Sequence, residues 1–264
     1  MPSLKLPPLA AAVQKNLLTR IGEPFNVSAP NSTRVGVITN CDTDVAYSFD
    51  DAPYIWHQEL NQLFAQNNAK ATFFVNGNNW GCIYSPENVK ALQDSYAAGH
   101  LIGSHTWGHV HMDEMTPQEL DEQMDLIEEA LWKILGIVPA VVRPPYGEAN
   151  AQVVAQLNAR GYTVVTWDVD SGDSVGVVAA DSIARLQAFK YPQPHMPLNH
   201  EMYQSSVDTV APAMLPYLKK QGYKMLTIAQ CLNGVAPYKI VGKPQQRDET
   251  WTCGKDHAPP SASR

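Results

Sequence analysis

Two histidines four residues apart, in Ser104-His105-Thr106-Trp107-Gly108-His109, stand directly after an apolar run that reads as a strand. On one helical turn, side chains at i and i+4 share a side, so both imidazoles can reach a single ion. Alone, such a pair is ordinary solvated surface. It gains meaning from Tyr47-Ser48-Phe49-Asp50-Asp51-Ala52-Pro53, where another apolar strand ends in two adjacent carboxylates. One offers a hard oxygen ligand and the other a base beside it, because neighbouring residues at a strand end point in different directions. Two histidines and one aspartate, with room left for water, form the donor set of a catalytic rather than a structural zinc. His111, two residues past His109, is close enough to be confused with a ligand.

Three further stretches carry groups that a hydrolytic site needs: Arg143-Pro144-Pro145-Tyr146, Asp170-Ser171-Gly172-Asp173 and Leu198-Asn199-His200. Taken singly, the proline- and aspartate-rich motifs are turns favoured for local backbone reasons. Taken together and in this order, the five motifs resemble the signature of carbohydrate esterase family 4 polysaccharide deacetylases, and the most similar branch is that of the fungal chitin deacetylases. The resemblance spans roughly residues 41–232.

The resemblance implies roles. Asp51, His105 and His109 hold Zn2+, with Co2+ or another divalent metal as the alternative. Asp50 is the general base, and Arg143 offers a planar fork to hold its carboxylate. The backbone N–H of Tyr146 helps to stabilise the oxyanion. His200 is the general acid that protonates the leaving amine, tuned by Asp173, with Asp170 as second choice. Leu198 walls a small pocket for the acetyl methyl, and Trp107 and Tyr146 line the substrate groove. Two positions depart from the family pattern. Ala52 stands where a glycine is usual, so the turn there must use a backbone conformation open to alanine. Ser174 replaces the aromatic residue expected after Asp173, so one wall of the sugar groove differs.

The elements that position these groups follow from periodicity. Apolar runs at residues 45–49, 71–75, 101–104, 140–143, 162–167, 196–199 and 224–228 read as strands, and helical patterns fall between them. The longest helix opens at Thr116-Pro117-Gln118-Glu119, a capping box, and stops at Gly136. About seven strand–helix units imply an α/β fold with parallel strands, a distorted (β/α)7–8 barrel in a single domain, with every motif where a strand gives way to its following loop. Residues 1–40 read as an irregular N-terminal segment, 41–232 as the catalytic barrel and 233–264 as an irregular tail that frays after Lys255.

The chain has 264 residues, 44% of them hydrophobic, which suits one large core. A formal net charge of −7 argues against nucleic acid or an anionic membrane as partner. No run of eighteen apolar residues occurs, so no membrane insertion is expected. Residues 1–12 hold three prolines and no sustained apolar run, unlike a signal peptide. Cys41, Cys82, Cys231 and Cys253 form no Cys-x-x-Cys pair; they permit two disulfides in three connectivities, or buried free thiols. In a barrel the strand after Cys41 and the strand before Cys231 are neighbours, which favours a Cys41–Cys231 staple at the closure seam, as the fungal resemblance also implies. Cys82–Cys253 is then left to tie down the tail. With Asn26-Val27-Ser28 and Asn31-Ser32-Thr33 as glycosylation patterns, the cysteines point to a secreted, extracellular or cell-wall glycoprotein. The expected function is removal of N-acetyl groups from N-acetylglucosamine units of chitin or chito-oligosaccharides by a monomeric metalloenzyme. Peptidoglycan or acetylxylan as substrate, and a catalytically silent carbohydrate-binding protein on the same fold, are the alternatives.

Overall fold

The structure, a computed structural model, describes residues 33–254 and the short strand Asn26–Val27. Ser28 of the first glycosylation pattern, Asn31 and Ser32 of the second, and the segment from Lys255 onward lie outside the described residues. In chain order the strands are β1 (Asn26–Val27), β2 (Val37–Ile38), β3 (Ser48–Ala52), β4 (Thr72–Val75), β5 (Leu101–Ser104), β6 (Ile137–Pro139), β7 (Val141–Val142), β8 (Thr163–Val165), β9 (Val169–Asp170), β10 (Pro197–His200) and β11 (Tyr238–Val241). The α-helices are α1 (His57–Gln66), α2 (Pro86–Ala97), α3 (Pro117–Leu135), α4 (Ala151–Ala159), α5 (Ala179–Leu186), α6 (Ala211–Gln221) and α7 (Ile228–Cys231).

Eight strands form one parallel sheet in the order β2-β8-β7-β5-β4-β3-β10-β9. β3, β4 and β5 are buried on both faces, as parallel strands covered by helices must be, and this is why their sequences run apolar without alternation. β8 and β9 lie towards opposite edges of the sheet, yet only residues 166–168 separate them in the chain. A link that short forces the sheet to curl until its edges nearly meet. Hydrogen bonds from Thr166 N to Ile38 O at 2.9 Å and from Asp168 N to Met196 O at 3.3 Å stitch this seam from both sides. The result is the distorted (β/α) barrel that the motif order implied.

The helix boundaries follow their local chemistry. Thr116 and Glu119 form the expected capping box, and Gly136 closes α3 at φ 70°, a conformation that costs glycine no Cβ clash. Leu120, Met124, Ile127, Leu131 and Ile134 form its buried stripe. Residues 224–228 do not form a strand. Only Met225 bridges to Val45, and a second capping box, Thr227 with Gln230, starts α7 instead. β3 runs three residues past the apolar segment, so Asp50 and Asp51 lie within the strand rather than after it.

The segment after residue 232, read as irregular, contains β11, which pairs antiparallel with β6 and β1 in a small second sheet. The sequence pattern is obscured by Lys239, which looks solvent-facing but is buried. Its Nζ donates to Glu128 Oε1 at 2.7 Å and to the Arg160 carbonyl at 3.2 Å. Glu128 also accepts from Tyr162 Oη at 2.7 Å and pairs with Arg160 at 3.1 Å. The cysteines form Cys41–Cys231 and Cys82–Cys253 disulfides. The first lies beside the Val45–Met225 bridge and not at the closure seam, which runs through residues 166–168. The second holds Trp251 against Tyr84, 5.7 Å between ring centroids, next to the loop after β4.

Burial alone would raise the Glu128 carboxyl, but Lys239 and Arg160 hold it down at about 2. Arg160 also pairs with Asp121 at 2.9 Å and Asp125 at 2.6 Å, but Lys239 has Glu128 as its one ion-pair partner among the described residues. Glu128→Ala would leave the buried Lys239 ammonium without a counter-charge, so we expect a loss of about 3–5 kcal/mol of unfolding free energy in urea titration. The folded-state pKa of Glu128 is depressed, so its contribution is present above pH 4.5, the ordinary value, and fades as pH falls towards 2.

Candidate active site

The five motifs meet at the C-terminal mouth of the barrel, where strand ends hand over to loops. Arg143, fully buried after β7, organises the floor. Its Nη1 donates to Asp50 Oδ1 at 2.7 Å and to Ser48 Oγ at 2.8 Å, and its Nη2 to the Thr166 carbonyl at 2.8 Å. The guanidinium lies over the Phe74 ring, 4.3 Å from its centroid. The Arg143 carbonyl accepts from His105 Nδ1 at 2.7 Å. A carbonyl can only accept, so the neutral His105 ring carries its proton on Nδ1 and presents the Nε2 lone pair to the mouth. That Nε2 is 3.7 Å from Asp50 Oδ2.

Asp51 and His109 complete the cluster. His109 Nε2 is 3.4 Å from Asp51 Oδ1, and one donor atom each from Asp51, His105 and His109 all lie within 4.8 Å of one another, a spacing that a single cation can bridge. Asn79 Nδ2 donates to Asp51 Oδ1 at 3.0 Å, and the Trp80 side chain also hydrogen-bonds Asp51. Burial pushes the Asp51 carboxyl up, the response of a carboxylate placed beside Asp50 with too little positive charge nearby. Burial pushes His105 and His109 down to about 4, so both imidazoles are neutral at pH 7 with lone pairs available.

The two histidines do not share a helical turn. Residues 105–111 form a loop with Thr106 and His109 at φ 68° and 53°. The loop carbonyls bond sideways instead of along a helix: that of Trp107 accepts from Gly77 N at 2.9 Å and Asn78 N at 2.8 Å, and those of His105 and Thr106 accept from Asn76 Nδ2. Trp107 is buried at 3% exposure and is therefore no rim residue. Its ring lies where a Cβ on Gly77 would stand, 1.8 Å from Cε3, so only glycine permits this contact. The exposed indole at the mouth is Trp80.

Opposite the cluster, His200 ends β10 with its Cα paired to that of Asp50 across the sheet. Asp173 Oδ1 is 2.8 Å from His200 Nδ1, while Oδ2 accepts from His200 N at 2.7 Å and Ser206 Oγ at 2.6 Å. Asp170 instead accepts from Gly172 N in a local turn. Burial alone would lower the His200 pKa, but the hydrogen bond and charge of Asp173, with the charges of Asp50 and Asp51, outweigh it and push it up to about 9. Tyr146 sits at φ 60° in a turn that uses the N–H groups of Gly147 and Glu148 and leaves that of Tyr146 unused among the described residues. Its ring stacks on His111 at 3.9 Å. His111 itself pairs with Glu148 and lies outside the cluster. Leu198 is buried on β10, two residues before His200 and so on the same face of the strand. Ala52 lies in the strand with no positive φ, and Ser174 is exposed with no aromatic ring in its place.

Several contributors escaped the sequence reading. Asn76, Asn79 and Trp80 lie in Asn76-Gly77-Asn78-Asn79-Trp80, a polar run directly after β4 and thus at the mouth; strand order and that run were the available signal. His57 and Glu201, paired at 2.6 Å with fully buried side chains, gave no signal as isolated residues. His195 pairs with Asp168 at 2.7 Å, and His100 Nδ1 accepts from Ala71 N at 3.1 Å, both away from the cluster.

Residues 38–165 match the family model described as polysaccharide deacetylase. A chitin deacetylase of Pestalotiopsis sp is 34% identical over 211 residues, covering 76% of this chain and 69% of its own length. The solved structure of the chitin deacetylase from the fungal pathogen Colletotrichum lindemuthianum superposes with a TM-score of 0.74 at 30% identity, covering 77% of this chain and 95% of that one. A peptidoglycan-N-acetylglucosamine deacetylase of Bacillus cereus is 31% identical over 191 residues, covering 70% of this chain and 66% of its own length. Shared fold, matched motifs and extended identity lead to one conclusion: the chain belongs to the polysaccharide deacetylase family.

Proposed function

We propose that this protein is a chitin deacetylase, which hydrolyses N-acetyl groups of N-acetylglucosamine units in chitin or chito-oligosaccharides and releases acetate. The observation that carries this reading is the meeting, at one barrel mouth, of the Asp51–His105–His109 cluster, the Arg143-bound Asp50 and the Asp173-bound His200. We assign Asp51, His105 and His109 as ligands of a divalent cation and Zn2+ as its identity, because two neutral imidazoles and one carboxylate suit zinc. When bound, the cation polarises the acetyl carbonyl and acidifies the attacking water.

The chain's own residues supply the proton transfers. Asp50, fixed by Arg143, takes a proton from the water as its oxygen adds to the carbonyl carbon. The backbone N–H of Tyr146 donates to the developing oxyanion. His200, kept protonated by Asp173, gives its proton to the glucosamine nitrogen as the C–N bond breaks, leaving acetate and a free amine. Leu198, on the His200 face of β10, walls the pocket for the acetyl methyl. Substrate contact falls to Tyr146 and Trp80. With Ile55 and Val175 they are exposed apolar side chains on the loops after β7, β4, β3 and β9, a rim suited to the apolar faces of neutral sugars. No described helix is long and apolar enough to cross a membrane, and two disulfides fit an oxidising compartment, so we place the protein outside the cell.

Acetate release from N-acetylated chito-oligomers that stops on chelation and returns with zinc is the expected result. Faster release from peptidoglycan fragments or acetylxylan would move the substrate, and no release from any of the three would leave a binding protein. His105→Ala and His109→Ala should each abolish stoichiometric zinc binding in a folded barrel, whereas His111→Ala should retain it; zinc retained by both of the first two would sink the ligand assignment. Asp50→Asn and His200→Ala should each keep the metal and lose about 10²-fold or more in kcat.

The His200 pKa is raised above the ordinary 6.5, so the stabilisation from its pairing is complete below that value and is lost as pH rises through about 9. Asp173→Asn removes the charge that raises it and should move the alkaline limb of the pH–kcat profile to lower pH. An unmoved limb would separate Asp173 from the acid.

A further inference from the structure

A buried polar chain begins one residue past His200. Glu201 has a fully buried side chain whose Oε1 accepts the backbone N–H of Tyr54 and whose Oε2 is 2.6 Å from His57 Nδ1. His57, equally buried, has its Nε2 2.6 Å from Ser95 Oγ, which donates to Asn61 Oδ1 at 2.7 Å. Ser95 has one hydroxyl hydrogen and gives it to Asn61, so its oxygen accepts from His57 Nε2–H. Nδ1 of His57 then shares a proton with Glu201 Oε2. Each link is satisfied, which a buried polar chain requires if it is to hold one geometry.

The two ends of this chain lie on different catalytic segments. Tyr54 is three residues past Asp51, in a stretch that the sheet does not fix. The pairing of β3 with β4 shifts register between Phe49 and Ala52, and Asp51 has φ 63°. On the other side of β3, the backbone bond continuing past the His200–Asp50 pair, from Glu201 N to Asp50 O, is long at 3.4 Å. The Glu201 side chain adds the missing tie by crossing from the end of β10 to the loop beyond the two carboxylates. His57 stops that carboxylate from rotating away.

We propose that Glu201, held by His57, is a positioning residue that sets the Asp50–Asp51 segment against His200. This inference rests on the acid and base roles proposed above. It makes an unusual demand on variants. Glu201→Gln keeps both ties, since the amide oxygen accepts from Tyr54 and the amide N–H donates to a neutral His57 Nδ1. Glu201→Asp keeps the charge but is one methylene shorter and cannot span Tyr54 and His57 together. The variant that loses the charge should outperform the one that keeps it.

The test uses the full chain with three readouts: kcat and KM on a chitotetraose substrate at saturating zinc, zinc affinity by chelator competition without substrate, and thermal melting. Glu201→Gln should stay within about threefold of wild type in kcat and zinc affinity. Glu201→Asp should melt cooperatively yet lose about 10²-fold in kcat at nearly unchanged KM, because misalignment acts on the transition state. It should also bind zinc about tenfold more weakly, the lower end of the range for residues that orient ligands. Glu201→Asp within threefold of wild type in both measures would overturn the proposal, as would Glu201→Gln impaired as severely as Glu201→Asp. Failure of both variants to fold would overturn it too, since the pair would then act in core stability. If the wild type binds zinc but releases no acetate, the activity reading fails, and the zinc affinities of the two variants alone decide the positioning role.

Discussion

The site depends on one buried guanidinium. Arg143 is fully buried, and a cation there is tolerable only because its surroundings are arranged around it: the Asp50 carboxylate, the Ser48 hydroxyl, the Thr166 carbonyl and the face of Phe74. These partners come from β3, the chain just after β8, and β4, so satisfying one side chain fixes the mutual placement of three parts of the barrel. Thr166 lies in the three-residue bridge across the closure seam. The Arg143 carbonyl, in turn, sets the tautomer of His105. Arg143 thereby couples barrel closure, the proposed base and a proposed ligand. A lysine would keep the charge and lose this geometry, because it lacks the planar fork that addresses Nη1 and Nη2 partners separately.

Backbone strain is concentrated at the same mouth. Of six non-glycine residues with positive φ among the described residues, Asp51 at the end of β3 and Thr106, His109 and Tyr146 in the loops belong to the motifs. Each such conformation costs free energy that the surroundings must offset. The offsets are visible: Asn79 and Trp80 on Asp51, Asn76 and the Gly77 turn on the His105–His109 loop, and the Pro144–Pro145 turn around Tyr146. Regular strand or helix geometry would separate these groups or turn them away. The loops are held in uncommon conformations so that side chains from separate strands converge, and the disulfide between Cys82 and Cys253 ties the C-terminal segment to the loop after β4, whose Gly77 and Asn78 N–H groups bond the Trp107 carbonyl.

The strands that carry the motifs were legible because each is a short apolar run ending in chemistry-bearing residues, and in a parallel barrel all such ends share one face. Alternation of strand and helix therefore gave the site's location together with the fold. Legibility stopped where a residue's environment contradicts its type. Lys239 interrupts an apolar pattern but is buried on Glu128, so β11 was hidden. His57 and Glu201 are distant in sequence and belong to no motif, so their pairing emerges only once β10 lies beside β3. The i, i+4 spacing of His105 and His109 suggested a helical turn. The shared ion-facing side was inferred, but its cause was not, since the loop bonds to the β4 turn rather than to itself. Trp107 leaves the rim for a similar reason: proximity in sequence to the histidines said nothing about the buried space that the glycine at position 77 opens to its indole.

Three histidines at this mouth show how one residue type takes different tasks from its surroundings. His105 and His109 are buried among groups that fail to compensate a positive charge, so they remain neutral near pH 7 and offer lone pairs. His200 is also buried, which by itself would make it neutral too. What separates it is a carboxylate with both oxygens committed. Asp173 accepts from the ring, from the His200 backbone and from Ser206, and these bonds hold it below its ordinary pKa although burial works the other way. A carboxylate kept ionised in that position makes the imidazolium the favoured form. The sign of the shift is thus set by the second partner and not by depth, and it divides the imidazoles into those able to bind a cation and the one able to give a proton.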